Sequence, residues 1–274
     1  MARRGSHVTE LRVERDEDGV ARIVLDRPAA KNALTIPMRD GIVAAVRQAR
    51  ADPQVRALLI TGEGDAFCAG MDLSASTVTK AGTPGFSPRS TSEALREGVQ
   101  TFIRELWELD KPTIAAVNGA AIGPGAHLAL ACDFVLVHAH TRFMWTFPKW
   151  GLVADAGGAY LLPRLVGLAR AKAMLMLGEG ATGAEAVELG LAYRCVDDPA
   201  ELLPAAVAVA RKLAAGPTRS LGLTKRLVNA SFETDLARSL ETEGHFQALA
   251  TTSPDIVEGM AAFREKRDAK FTGS

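Results

Sequence analysis

Two stretches decide the fold: Gly62–Leu73, GEGDAFCAGMDL, and Ala115–Phe134, AAVNGAAIGPGAHLALACDF. The first follows VRALLIT, Val55–Thr61, a mostly apolar run that reads as a buried parallel strand, and it turns on Gly62, Gly64 and Gly70. The second contains the end of TIAAV, Thr113–Val117, and places Gly119, Gly123, Pro124 and Gly125 at the start of a helix. Two strand ends thus each present a tight backbone loop. A carbonyl oxygen lying between such loops can be met by main-chain N–H groups and by the positive end of the helix. Each cluster alone reads as an ordinary strand-to-helix turn; the pair is more specific.

Outward from these loops the same alternation continues. Thr9 to Glu14 and Val20 to Asp26 read as a hairpin about Asp16-Glu17-Asp18-Gly19. After Pro37, the residues Ile42, Val43, Val46 and Ala49 recur at helical spacing up to Arg50. A helix from Ser92 to Leu109, one after Pro124 and a strand from Phe134 to Val137 complete the pattern, which predicts an α/β fold with parallel pairing. Ser74 to Ser92 is rich in Ser, Thr, Gly and Pro without periodicity, and reads as a long loop of the kind that forms lids. From Pro199 strand signals stop and amphipathic helices follow, broken near Gly216-Pro217, Ser231 and Ser253-Pro254. The sequence therefore divides into a core over 1–200 and a helical region over 201–274. Those helices bury little alone, so packing on another subunit is expected.

The 274 residues suffice for a full core, with 47% apolar and 23% charged residues. Lysine plus arginine and aspartate plus glutamate balance at 32 each, so no global field draws the chain to nucleic acid or an anionic membrane, and an anionic ligand must be held locally. Cys68, Cys132 and Cys195 are odd in number and far apart, which argues for a reducing compartment; with no apolar export core in MARRGSHVTE and no run long enough to span a membrane, a cytoplasmic enzyme is expected.

The two glycine loops, together with FMWTFPKWGLVADAGGAYLLPRLVG and the terminal EGMAAFREKRDAKF, resemble the enoyl-CoA hydratase/isomerase family, the crotonases, from about Thr9 to Phe271. The resemblance implies a spiral of repeated ββα units with a C-terminal helical trimerisation region, a homotrimer or dimer of trimers, and an acyl-CoA thioester as ligand. Coenzyme A then enters as part of the substrate, and no separate cofactor or metal is implied. In that family two backbone N–H groups hold the thioester oxygen. They fall on Met71 and Pro124, and because proline has no N–H, Gly125 or a water is left to supply the second bond; proline also simply suits a first helical turn. For the CoA the resemblance suggests Arg27, Lys31, Ala69, Met71 and Asp72, with Phe263 and Lys266 reaching over from a neighbouring subunit.

The two glutamates of a family hydratase correspond to His127 and Phe147, so addition of water by the usual pair is disabled. Asp155 matches an aspartate that carries the proton in dienoyl-CoA isomerases and phenylacetate-pathway ring isomerases; its plain alternative is an N-cap. His127 reads either as packed and inert or as an acid/base titrating near neutrality. Cys68 suits its loop by small size. Phe143, Trp145, Phe147 and Trp150 suit an acyl pocket or a core equally, and His138 with His140 reads as surface. The expected activity is double-bond isomerisation of an enoyl-CoA with Asp155 as proton carrier. The alternatives are an enoyl-CoA hydratase and a CoA-thioester binder with little catalysis; a serine peptidase on a related spiral lacks its serine at the glycine loop.

Overall fold

The computed structural model describes residues 10–72 and 88–274. Strands β1 (Leu11–Arg15) and β2 (Val20–Leu25) form the expected hairpin, paired from Leu11 with Leu25 to Arg15 with Ala21. Asp16 shapes its turn by accepting the N–H groups of Asp18 and Val20, and Gly19 supplies the positive φ of 81°. Helix α1 (Ile36–Ala51) starts at Thr35, whose side chain accepts the Met38 N–H, and it buries Met38, Ile42, Ala45, Val46 and Ala49 along one stripe.

Three turns of a spiral follow. The first runs through β3 (Ala57–Gly62), β4 (Ala66–Cys68), α2 (Pro88–Glu97) and α3 (Val99–Trp107). The second comprises β5 (Thr113–Val117), β6 (Ala120–Ile122) and α4 (Pro124–Leu130). The third contains β7 (Phe134–His138), β8 (Arg142–Met144), α5 (Gly158–Val166) and α6 (Leu168–Lys172); β9 (Ala181–Thr182), α7 (Gly183–Glu188) and β10 (Arg194–Val196) close it. The longer strand of each turn enters a six-stranded sheet of order β1-β2-β3-β5-β7-β10, and the shorter one a four-stranded sheet of order β4-β6-β8-β9. All neighbours from β2 to β10 in the large sheet are parallel.

The apolar runs are unbroken because the large sheet is buried on both faces. Leu58, Ile60, Ala115, Val117 and Val137 belong to the main core, which includes buried residues of α1, α3 and α4. The alternate residues Ala57, Leu59, Ile114, Ala116 and Leu136 meet Leu202, Ala206, Ala210 and Ala214 of α8 (Pro199–Ala214). The onset of purely helical structure near residue 200 is therefore not a break in packing: α8 covers the sheet. Beyond it come α9 (Thr218–Ala230), α10 (Leu236–Ala250) and α11 (Pro254–Glu265). Helix α10 buries no residue among the described residues, and Val228, Phe232, Leu236, Leu240, Val257, Met260 and Phe263 are exposed.

Of the loop expected over Ser74 to Ser92, positions 74–87 lie outside the described residues, while 88–92 belong to α2. The single helix expected from Ser92 to Leu109 is two helices parted at Gly98, where a Cβ would come 2.5 Å from the Ala94 carbonyl oxygen and 2.6 Å from Arg39 Nη1. Among the described residues no helix is long and apolar enough to cross a membrane.

Candidate active site

The two glycine loops meet at the ends of β3 and β5, fastened by a pair of asparagines. Asn32, fully buried with φ of 55°, donates to the carbonyls of Glu63 (2.9 Å) and Ala66 (2.7 Å) and accepts the Arg27 N–H (2.8 Å). Asn118 accepts the Gly62 N–H at 3.1 Å and donates to the Gly64 carbonyl at 2.9 Å. Gly119 must be glycine, since a Cβ there would stand 2.0 Å from the Asp65 carbonyl oxygen. Sequence reasoning passed over both asparagines. The available signal was Asn beside Gly in VNG, and Asn as the residue that most readily joins glycine in left-handed backbone, in AKNAL.

Leu34 brackets Met71: its N–H donates to the Gly70 carbonyl (2.7 Å) and its carbonyl accepts the Asp72 N–H (2.9 Å). This parallel bridge uses the groups on either side of Met71, whose own N–H has no acceptor among the described residues. At Gly70, φ is 90° and a Cβ would lie 2.9 Å from the Ile122 carbonyl oxygen and 3.5 Å from Pro124 Cδ, so the loops touch there. Pro124 is the first residue of α4, after Gly123 at φ of 50°. The His127 N–H closes the turn on the Gly123 carbonyl at 3.0 Å, which leaves Gly125 and Ala126 with the open N–H groups of this helix start. Gly125 is pressed onto Cys68, where a Cβ would come 2.3 Å from the carbonyl oxygen. Burial pushes the Cys68 thiol up to about 12, opposed in part by the Gly70 backbone, so it is an inert spacer.

Asp155 stands in the turn before α5. It is not the N-cap: that position is Gly157, and no side chain caps the helix. Its Oδ1 is buried without a hydrogen-bond partner among the described residues, and burial raises the carboxyl from 3.8 to about 6, opposed in part by its own backbone. His127 is fully buried on α4 and accepts the indole N–H of Trp145 at Nε2, 3.0 Å away. Burial lowers its imidazole to about 4, so the expected titration near neutrality does not hold and the ring stays neutral at working pH. Phe147 lies against this histidine and faces Gly123, where a Cβ would be 3.4 Å from its Cζ.

The aromatic group divides. Phe143, Trp145 and Phe147 are buried, whereas Trp150 is 62% exposed. His138 is buried, not on the surface, because it pairs inside the large sheet and its Nδ1 accepts the His140 N–H. No metal-binding group occurs among the described residues.

Of the residues suggested for CoA, five gather on one edge. Arg27 pairs with Asp72 at 2.6 Å and with Glu10 at 3.3 Å, and the Ala69 N–H donates to the Lys31 carbonyl at 2.9 Å. The Lys31 side chain is exposed and makes no ion pair among the described residues. Phe263, on α11, and Lys266, at its left-handed C-cap, are exposed.

A spiral of ββα turns, with two clamped glycine loops at adjacent strand ends, defines a crotonase-fold protein. The chain belongs to the enoyl-CoA hydratase/isomerase family, whose model matches residues 15–274. It is 38% identical to the 1,2-epoxyphenylacetyl-CoA isomerase of Escherichia coli (strain K12), over 94% of this chain and 96% of that protein. It is 34% identical to the crotonyl-CoA hydratase of Syntrophomonas wolfei, over 93% and 95%. The crystal structure of an enoyl-CoA hydratase from Bacillus anthracis superposes with a TM-score of 0.89 at 28% identity, over 97% of this chain and all of that one.

Proposed function

We propose that this family member shifts the double bond of an enoyl-CoA, with Asp155 as the proton carrier. The reading is carried by the place of that carboxyl: partly enclosed, with one oxygen unpartnered among the described residues, and raised by burial to about 6. A base is most effective when its pKa lies near the working pH. At pH 7 such a group is mostly ionised and ready to accept a proton.

The thioester oxygen lies toward the Met71 N–H and the start of α4, where Gly125 offers the first N–H after Pro124. Polarisation there acidifies the neighbouring C–H bonds. Asp155 takes the α proton of the bound thioester, which leaves a dienolate held at the oxyanion site, and returns that proton to the γ carbon, so no net proton or electron is exchanged. Coenzyme A enters with the substrate and no other cofactor is invoked. Lys31, with Arg27, Ala69, Met71 and Asp72, flanks the CoA. Phe263 and Lys266 complete its site from another subunit of a homotrimer or dimer of trimers, an assembly supported by the apolar residues left exposed on α9, α10 and α11.

Hydration is the second reading, favoured by the hydratase names among the relatives. Phe147 opposes it, because a phenyl ring cannot orient or deprotonate water. Turnover of a 3-enoyl-CoA by wild type and Asp155→Asn tests the proposal: loss of turnover in a folded variant supports it, and unchanged turnover removes Asp155 from the mechanism.

A further inference from the structure

His127 is a buried titratable side chain that the proton transfer above does not use, yet its surroundings fix it tightly. An indole N–H can only donate, so the Trp145 bond at 3.0 Å makes Nε2 of His127 the acceptor and puts the imidazole proton on Nδ1. On one side the Phe147 ring lies at 5.8 Å, 11° from parallel. The ring also rests on the backbone of Gly158, where a Cβ would come 2.1 Å from Cε1, 2.3 Å from Nε2 and 2.9 Å from Nδ1. Gly158 in turn donates its N–H to the Asp155 carbonyl at 3.1 Å. Both ring nitrogens thus border the turn from Asp155 to Gly158; Nε2 is taken by Trp145, so Nδ1 is the donor left there, and the Asp155 backbone opposes the effect of burial on the imidazole. Nδ1 makes no hydrogen bond of regular geometry there, which leaves a donor, not a closed bond, at this turn.

The turn needs holding. Ala156 has φ of 49° and Gly157 φ of 77°, so a residue with a Cβ is kept in left-handed backbone directly after Asp155. Such a conformation persists only when its surroundings over-determine it.

We propose that His127 is a positioning residue: with Nε2 occupied by Trp145, its Nδ1–H faces the Asp155 main chain and fixes the turn that carries the carboxylate. The inference rests on Asp155 being the proton carrier. His127 then occupies a family glutamate position without moving a proton itself, and Trp145 and Gly158 serve the same arrangement, one by setting the tautomer and the other by making room for the ring.

The experiment combines kinetics with an imidazole spectrum on the full chain. With 3-hexenoyl-CoA and 3-decenoyl-CoA as probes, His127→Leu is expected to lower kcat about tenfold or more with little change in KM, and to move the acid limb of the pH–rate profile below that of wild type as the turn opens to water. His127→Asn, which keeps a donor, restores part of the lost rate. Long-range ¹⁵N–¹H correlation of wild type should show a neutral Nδ1–H tautomer from pH 5 to 8, and Trp145→Phe should release it into a mixture. An Nε2–H tautomer or an imidazolium in wild type, or a His127→Leu variant with unchanged kcat and acid limb, overturns the proposal. Asp155→Asn, run in parallel, separates the two failures: unchanged turnover there removes the proton carrier itself, whereas loss there beside an unaffected His127→Leu removes only the positioning role.

Discussion

The rings of His127 and Phe147 lie 11° from parallel with their centroids 5.8 Å apart, at the two positions that the resemblance assigns to the glutamates of a family hydratase. Neither is a carboxylate, and the histidine is held neutral by burial. The neighbouring carboxyl is that of Asp155, whose backbone borders His127.

Asp155→Asn is expected to lower turnover by roughly 10²- to 10⁴-fold, the usual loss for a positioned acid/base. It should also make the protein more stable. Burial raises the carboxyl from 3.8 to about 6, so at pH 7 the folded chain holds an ionised group in a place that disfavours it. Discounted for the exposed part of the side chain, the gain is on the order of 1–2 kcal/mol. Urea unfolding at pH 7 measures it, and equal or lower stability in the variant would count against a strained carboxylate.

The pH dependence of stability separates Asp155 from His127. Asp155 has a raised folded pKa, so the folded chain holds its proton more firmly than the unfolded chain, and its ionised form ceases to be a burden as pH falls from about 6 toward 4. The advantage of Asp155→Asn over wild type should therefore shrink over that range. His127 has a depressed folded pKa, about 4 against 6.5, so its contribution is present above 6.5 and lost as pH falls through 4. His127→Leu should gain on wild type during the same acidification. Denaturant midpoints at pH 7, 5 and 4 check both signs.

Much of this was legible in the sequence, and the rest was hidden for definite reasons. VRALLIT and TIAAV gave their strands because a sheet buried on both faces leaves continuous apolar runs. The second sheet went unread: its strands are AFC, AAI, RFM and AT, too short for any period to show. The glycine loops announced a site, but the asparagines that clamp them act through contacts 31 to 56 residues away, which no local pattern records. Likewise the choice between N-cap and free carboxyl at Asp155 depended on where α5 begins, and Gly157 takes the cap. The state of His127 depended on Trp145 and Gly158, both distant in the chain.

Pro124→Gly should raise the isomerisation rate or leave it unchanged. A glycine adds an N–H at the start of α4, and a well-aimed donor is worth on the order of 2.7 to 4 kcal/mol to an oxyanion. The same change frees the unfolded chain and should cost about 0.4–1 kcal/mol of stability. Collapse of kcat without loss of structure would show that proline positions the loop, with its Cδ against Gly70, and is no deficit.

The last expectation concerns reaction type. Addition of water requires one group to orient and deprotonate it and a proton delivered to the α carbon, whereas a double-bond shift requires only a proton relayed across one face of the enolate. Here the His127–Phe147 pair supplies no carboxylate to orient or deprotonate water, and Asp155 is placed to act as both acceptor and donor of a single proton, since burial raises its carboxyl to about 6. Given 3-enoyl-CoA and 2-enoyl-CoA of matched chain length, the protein should isomerise the first faster than it hydrates the second. Both rates are read from the conjugated-thioester absorbance, which appears in the first reaction and disappears in the second, and several chain lengths guard against a poor acyl fit. The isomerisation rate should rise with pH through about 6 and level off, since the ionised carboxylate starts the transfer. Hydration outrunning isomerisation at every chain length would falsify the single-carboxylate mechanism and return the water-handling role to the α4 face that His127 occupies.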